Sequence, residues 1–209
     1  MIVSVYTGKG TRFVKDLMTV LEKLNIQYQR IDEKGILQDK LDKYSVLIVP
    51  GGWPNKYAHN LGKKGFSKIR KFVKNGGRYI GICAGADLAS KRFEVEEDSF
   101  SGLGLINSIA KMEIKKILPG RLRTITTSKS PLTRNCPREI RIWYENGSIF
   151  RVKKGKIMAR YENNNTAIIY SKYGKGSVIL FSPHPEGSLE NKIDPIKYGT
   201  INLLKNALV

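Results

Sequence analysis

Between residues 2 and 90 short apolar runs alternate with helical hydrophobic periodicity, and this alternation restricts the available folds more than any other feature of the chain. "IVSVY" at 2–6, "IQYQRI" at 26–31, "YSVLIVP" at 44–50 and "GGRYIGIC" ending at Cys83 have the length and apolar content of strands. Between them, Val14, Leu17, Met18, Leu21 and Leu24 form one helical stripe, and Phe66, Ile69, Phe72 and Val73 a second. Strand–helix alternation predicts an α/β fold in which residues 2–6, 44–49 and 79–82 share a sheet. We expect a single flavodoxin-like domain over residues 1–209, with a mostly parallel central sheet and flanking helices. Ligands in such folds occupy the crevice beyond the carboxyl ends of the strands.

From about Phe93 to Tyr161 the pattern changes to glycine-punctuated strands. "REIRIWY" and "SIFRV" are separated by "ENG", which predicts a hairpin between them. "KIMARY" and the two halves of "TAIIYSKYGKGSVILF" are further strand candidates, and "YGTINLLKNALV" has helical spacing. No polar linker or internal repeat divides the chain, so the middle reads as an antiparallel elaboration of the one domain. With 41% hydrophobic residues in 209, there is material for one sizeable core.

The 37 Lys and Arg against 18 Asp and Glu give a net charge of +19, which raises affinity for anions in general. The cations are spread along the chain, as in "KKGFSKIRKFVKNGGR", without a zinc-finger, homeodomain or RNA-recognition signature, so nucleic acid is not the expected partner. "MIVSVYTGKG" opens on a strand pattern rather than a secretion leader, and no run approaches the roughly 20 apolar residues of a membrane span. The expectation is a soluble cytoplasmic protein with no membrane partner. "NGS" at Asn146 fits the glycosylation rule, but carries little weight beside that expectation.

Cys83 and Cys136 are too few for a disulfide scaffold, and with His59 and His184 they offer no metal-ligand spacing. "TGKGT" lacks the P-loop pattern, and there is no G-x-G-x-x-G. No cofactor or metal is expected. Cys136 in "RNCPREI" reads as structural. His59, in the expected loop "WPNKYAHNLGKKG", reads as surface, while Trp53 and Tyr57 could rim a cleft.

Two segments carry chemistry. In "GICAGADLAS", Cys83 sits between a strand and a helical pattern, with glycines that suit a tight bend presenting a side chain at a strand end. Packed as a small hydrophobe the same cysteine would be inert. In "LFSPHPEG", His184 follows an apolar strand 101 positions later, and Glu186 falls on the same side if the strand conformation persists. Glu186 can then orient the imidazole, and His184 can activate the Cys83 thiol. The alternative is a histidine with a local hydrogen bond and a solvated glutamate.

"VPGGW" at 49–53, "FVKNGGRYIGICAG" at 72–85 and "GKGSVILFSPHPEG" at 174–187 follow one another as in the class I glutamine amidotransferase-like superfamily. Within it the chain most resembles proteins that share the N-terminal domain of biotin-protein ligase. The resemblance implies Cys83 as nucleophile, His184 as proton-transfer residue and Glu186 as its orienting partner. It also implies an oxyanion hole from the backbone N–H groups of Gly52 and Ala84. Glutamine-using members carry a glutamine four residues beyond the cysteine, where this chain has Asp87, so Asp87 and Trp53 are candidate substrate-binding residues and glutamine itself is in question. Related small cysteine proteins of the protease and chaperone type often carry an acidic residue after the first strand, and "VYTGKG" has none.

The implied activity is amide hydrolysis or glutamine amidotransfer through a thioester, on a small amide or amino-acid-like substrate. A separate enzyme would accept any ammonia, and a homodimer is a further expectation from the superfamily. Sharing a module with biotin-protein ligase does not imply biotin ligation. The competing readings are a noncatalytic small-molecule-binding or regulatory module that retains the fold, and a cysteine peptidase.

Overall fold

The computed structural model describes residues 2–112 and 118–209. The first half runs β1 (Val3–Tyr6), α1 (Val14–Lys23), β2 (Tyr28–Ile31), α2 (Glu33–Leu37), β3 (Val46–Val49), α3 (Pro54–Lys74), β4 (Arg78–Ile82) and α4 (Ala84–Ala89). Strands then dominate: β5 (Ser90–Val95), β6 (Asp98–Ser101), β7 (Ile106–Met112), β8 (Arg121–Thr127), β9 (Glu139–Tyr144), β10 (Ser148–Val152), β11 (Lys156–Tyr161), β12 (Thr166–Tyr173) and β13 (Gly176–Phe181). The chain closes with α5 (Ile201–Leu208).

Period-two burial in the central strands produces two apolar faces. Val3, Val5, Val46, Ile48, Ile80, Ile82, Ile179 and Phe181 face one way, under Leu17, Val20 and Leu21 of α1 and Leu203, Leu204 and Ala207 of α5. Leu47, Val49, Tyr79, Val178 and Leu180 face the other, under Ile69, Phe72 and Val73 of α3 and the short α4. Side chains alternate across a strand, so a central strand covered on both faces must be apolar throughout, as "VLIV" of β3 is. Each fully buried aliphatic side chain contributes about 1.5–3 kcal/mol relative to exposure.

Residues 2–6, 44–49 and 79–82 do share a sheet. Its nine strands run in the order β2-β1-β3-β4-β13-β12-β11-β8-β9. The expectation of a mostly parallel sheet is corrected: β2-β1-β3-β4-β13 is parallel, whereas β13-β12-β11-β8-β9 is antiparallel throughout. The cause is connection length. Parallel neighbours need a crossover of a dozen or more residues, whereas β12 turns into β13 through Gly174 and Lys175 alone.

The expected "ENG" hairpin is also corrected. The turn forms, with Asn146 in the left-handed region at φ 53, but its strands part. β9 pairs with β8 in the large sheet, and β10 pairs with β7 in a second sheet ordered β10-β7-β5-β6. The other edge of β9 is bridged at Trp143 by His184, just past the end of β13, with His184 N–H donating to the Trp143 carbonyl at 2.8 Å. This bridge curls the antiparallel half back toward the centre of the sheet. Among the described residues no helix is long and apolar enough to cross a membrane.

The corner between the two sheets leaves no room for a side chain at Gly147, where a Cβ would lie 2.3 Å from the Ser182 carbonyl oxygen. Gly147→Ala should therefore destabilise the fold by about 1–3 kcal/mol. Thermal unfolding checks this, with an expected Tm loss of about 2–4 °C per kcal/mol.

Candidate active site

Cys83 occupies the single residue between β4 and α4, with φ 50 and ψ −113, a conformation a non-glycine residue rarely adopts. Its backbone is held on both sides. The Cys83 N–H donates to the Phe181 carbonyl at 2.8 Å, and the Cys83 carbonyl accepts from the N–H groups of Ala86 and Asp87 at 2.8 and 3.0 Å. The flanking glycines are required by contact. A Cβ at Gly81 would stand 2.5 Å from the Gly85 carbonyl oxygen, and one at Gly85 would stand 2.0 Å from that of Val49. Strain of this kind costs about 1–3 kcal/mol and concentrates at functional sites.

His184 and Glu186 are fully buried and joined, Nδ1 to Oε1, at 2.8 Å. The Phe13 ring packs on the imidazole with centroids 4.3 Å apart. Burial alone would lower the His184 pKa, but the charges of Glu186 and of the nearby Cys83 sulfur outweigh it and hold the imidazole well above its usual range. Among the described residues Nε2 has no partner at full hydrogen-bond geometry, while the Cys83 sulfur lies close enough to help raise the imidazole pKa. Gly51 locates the pair: the point where its Cβ would stand is 2.9 Å from His184 Cε1 and 3.5 Å from Cys83 Cβ. Two residues 101 positions apart therefore meet at the end of the β4–β13 seam.

Cys83 opens into a pocket of about 80 Å³ whose described lining includes Arg12, Gly52, Trp53, Ala84, Asp87, Glu94 and Glu145. Gly52 is bridged to Thr11, with Arg12 N–H on the Gly51 carbonyl at 2.7 Å and Trp53 N–H on the Gly10 carbonyl at 3.0 Å. In that pairing geometry the N–H of Gly52 points away from Thr11. The N–H of Ala84, at the first position of α4, has no intrahelical acceptor. Both donors expected from the sequence thus border the same pocket as the cysteine.

Asp87, one turn along α4, also lines the pocket. Burial pushes its carboxyl up to about 7, against a smaller opposing effect of the Ser148 hydroxyl. Tyr57 does not rim the cleft. It is fully buried, and its hydroxyl donates to the Gly51 carbonyl at 2.9 Å, pinning the glycine loop. His59 lies on α3 rather than in a loop, and Cys136 packs against the core at half burial. Among the described residues no three His, Cys, Asp or Glu side chains converge as a metal site.

Sequence reading missed two participants, Phe13 and Glu145, and the role of a third, Tyr57. Phe13 covers the imidazole, the Glu145 carbonyl accepts from the Cys83 thiol at 3.7 Å, and Tyr57 sets the glycine loop. Phe13 and Glu145 reach the site from loops, and neither has a local motif that marks it.

The two-faced sheet, the elbow at Cys83 and the histidine beyond the neighbouring strand define a class I glutamine amidotransferase-like fold. PurLQS from Thermotoga maritima superposes with a TM-score of 0.75 at 19% identity, covering 99% of this chain and 97% of that one. A protein of Thermoplasma acidophilum described as a GMP synthase component gives 0.69 at 14% identity, covering 100% and 92%. Within that class the chain belongs to the family described as biotin-protein ligase, N terminal, which it matches over residues 1–103 and 119–203. A biotin–protein ligase of Schizosaccharomyces pombe is 28% identical over 219 aligned positions, 91% of this chain. The match spans only 34% of that ligase.

The Asp87 carboxyl gives a pH signature. Its pKa of about 7 in the fold lies above the 3.8 of a free carboxyl, so the folded state binds the extra proton between those values. Its contribution favours folding below about pH 4 and is lost as pH rises through about 7. Asp87→Asn should therefore gain stability relative to wild type as pH rises from about 4 to about 8, read as the difference in Tm across that range.

Proposed function

We propose that the chain is a cysteine-dependent amide hydrolase, or an amidotransferase-like enzyme, acting through a thioester on a small amide. The observation that carries this reading is the meeting of a strained Cys83 with a Glu186-tethered His184 beside one pocket.

Cys83 Sγ, as thiolate, attacks the amide carbonyl. The N–H groups of Gly52 and Ala84 take the charge that develops on its oxygen. His184, held protonated by Glu186, gives its proton to the departing nitrogen as the C–N bond breaks. Water then attacks the thioester, with His184 as base, releasing the acid and the free thiol. If glutamine is the substrate the products are glutamate and ammonia. Asp87 in the pocket supports a panel of amides rather than glutamine alone. A pocket of about 80 Å³ supports a compact substrate over an extended peptide.

Biotin ligation is not proposed, because the S. pombe ligase is matched over only a third of its length. A noncatalytic ligand-binding module is the second reading, and the Asp87 carboxylate at the pocket wall favours it to the extent that it binds without turnover.

The test is ammonia release from glutamine and a panel of amides, with capture of the acyl adduct by intact-mass analysis. Cys83→Ala should abolish the adduct while folding is retained. His184→Ala should slow adduct formation by about 10²–10⁴-fold near neutral pH. Loss of Glu186 should act more mildly, through imidazole orientation. A folded Cys83→Ala protein that forms the same adduct at the same rate overturns the assignment, and binding without turnover of any amide leaves the noncatalytic reading.

A further inference from the structure

The pocket beside Cys83 inverts the charge of the chain around it. The molecule carries +19, yet the described pocket lining holds three carboxylates, Asp87, Glu94 and Glu145, against one guanidinium, Arg12. Two of the three are engaged. Glu94 pairs with Arg92 at 3.5 Å and Lys111 at 3.1 Å, and Glu145 Oε2 accepts from Trp143 Nε1 at 3.3 Å. Asp87 is different: it is 8% exposed and its Oδ1 has no hydrogen-bond partner among the described residues.

A buried carboxylate with one oxygen left unsatisfied is costly for a fold to keep unless something else supplies the partner. Among the described residues no cation holds the Asp87 carboxyl down. Tyr57 and Tyr79 lie close enough for its charge to raise their phenol pKa values, Cys83 stands one turn away, and Ser148 provides only a hydroxyl. Arg12, from the loop after β1, also lines the pocket, with its guanidinium 5.8 Å from the Phe13 ring centroid.

We propose that this pocket selects an amide carrying a cationic group, an ammonium or guanidinium, which lies on the Asp87 carboxylate while the amide carbonyl reaches Cys83. One helical turn separates the two protein groups by roughly 6 Å along the axis, a span suited to a few methylenes between cation and carbonyl. The carbonyl half of this inference rests on the proposed amide chemistry, whereas the cation half is a statement about binding alone.

Three amides of similar length separate the two halves: 4-aminobutanamide is cationic, pentanamide neutral and glutaramate anionic. Titrated into Cys83→Ala protein at about pH 8, the cation should bind at least tenfold tighter than the neutral amide, with the anion weakest. Its affinity should fall about tenfold between about pH 8 and about pH 6, because the Asp87 carboxyl takes up a proton near pH 7 while the ammonium stays charged. Asp87→Asn, combined with Cys83→Ala, should lose both the preference and the pH dependence.

Equal or tighter binding of pentanamide or glutaramate, retention of the preference without Asp87, or no binding of any of the three overturns the inference. The comparison of the three amides needs no Asp87 variant, so it decides even if that variant does not fold. Wild-type turnover is read separately. Binding sorted by charge with no ammonia released removes the hydrolase reading and keeps the cation site. Equal turnover of all three amides does the reverse.

Discussion

The parallel pairing of β4 with β13 is the constraint on which the rest of the site depends. Ile82 stands opposite Phe181, and the next N–H in line, that of Cys83, closes the ladder on the Phe181 carbonyl at 2.8 Å. The cysteine leaves the sheet at that point and the histidine appears three residues beyond Phe181. A slip of one residue would reverse every side chain of β13, sending Ile179 and Phe181 to the face now filled by Val178 and Leu180. Each face is packed by its own helices, so the hydrophobic core fixes the register, and the register delivers His184 to Cys83.

Stability alone does not explain what stands at that point. A buried ion pair recovers its desolvation cost only with good geometry and further hydrogen bonds. The His184–Glu186 pair has the geometry but lacks some of the bonds, since among the described residues His184 Nε2 and Glu186 Oε2 both find no partner at full hydrogen-bond geometry. Asp87 Oδ1 is a third such atom, and Tyr6 Oη is the fourth found among the described residues. Unsatisfied buried polar atoms are uncommon in native folds, and three of these four lie in or beside one strained turn and its pocket. A fold that spends stability in one place, beside a backbone it also strains, is organised around binding or chemistry there.

The first half of the fold was legible in the chain because its two periodicities are clean: "VLIV" is apolar on both faces, and the α1 stripe repeats every three to four residues. The glycines around Cys83 were legible for a similar reason, since their requirement is local. The second half was less so. "ENG" correctly marks a turn, because Asn146 carries the left-handed conformation itself, but it does not say which strands will pair. That choice is made by the bridge from Trp143 to His184, a contact between residues 41 positions apart that no local pattern encodes. Likewise "TGKGTRF" gives no sign that Phe13 will cover an imidazole, because that contact exists only once α1 has docked on the sheet.

Net charge is the feature whose reading changes most between sequence and structure. A charge of +19 describes the field at the surface, and at physiological ionic strength that field is screened over a Debye length of about 8 Å. Around a buried group such as the Asp87 carboxyl screening is weak, so the nearest groups outweigh the distant total. Asp87 illustrates the balance: in a molecule with more than twice as many cations as acids, its carboxyl is pushed up rather than down, because burial removes the solvent that would stabilise its charge and no cation among the described residues offsets that. The abundant lysines and arginines therefore bear on what approaches the exterior, while the recognition of a ligand at Cys83 is decided by the few residues that line its pocket.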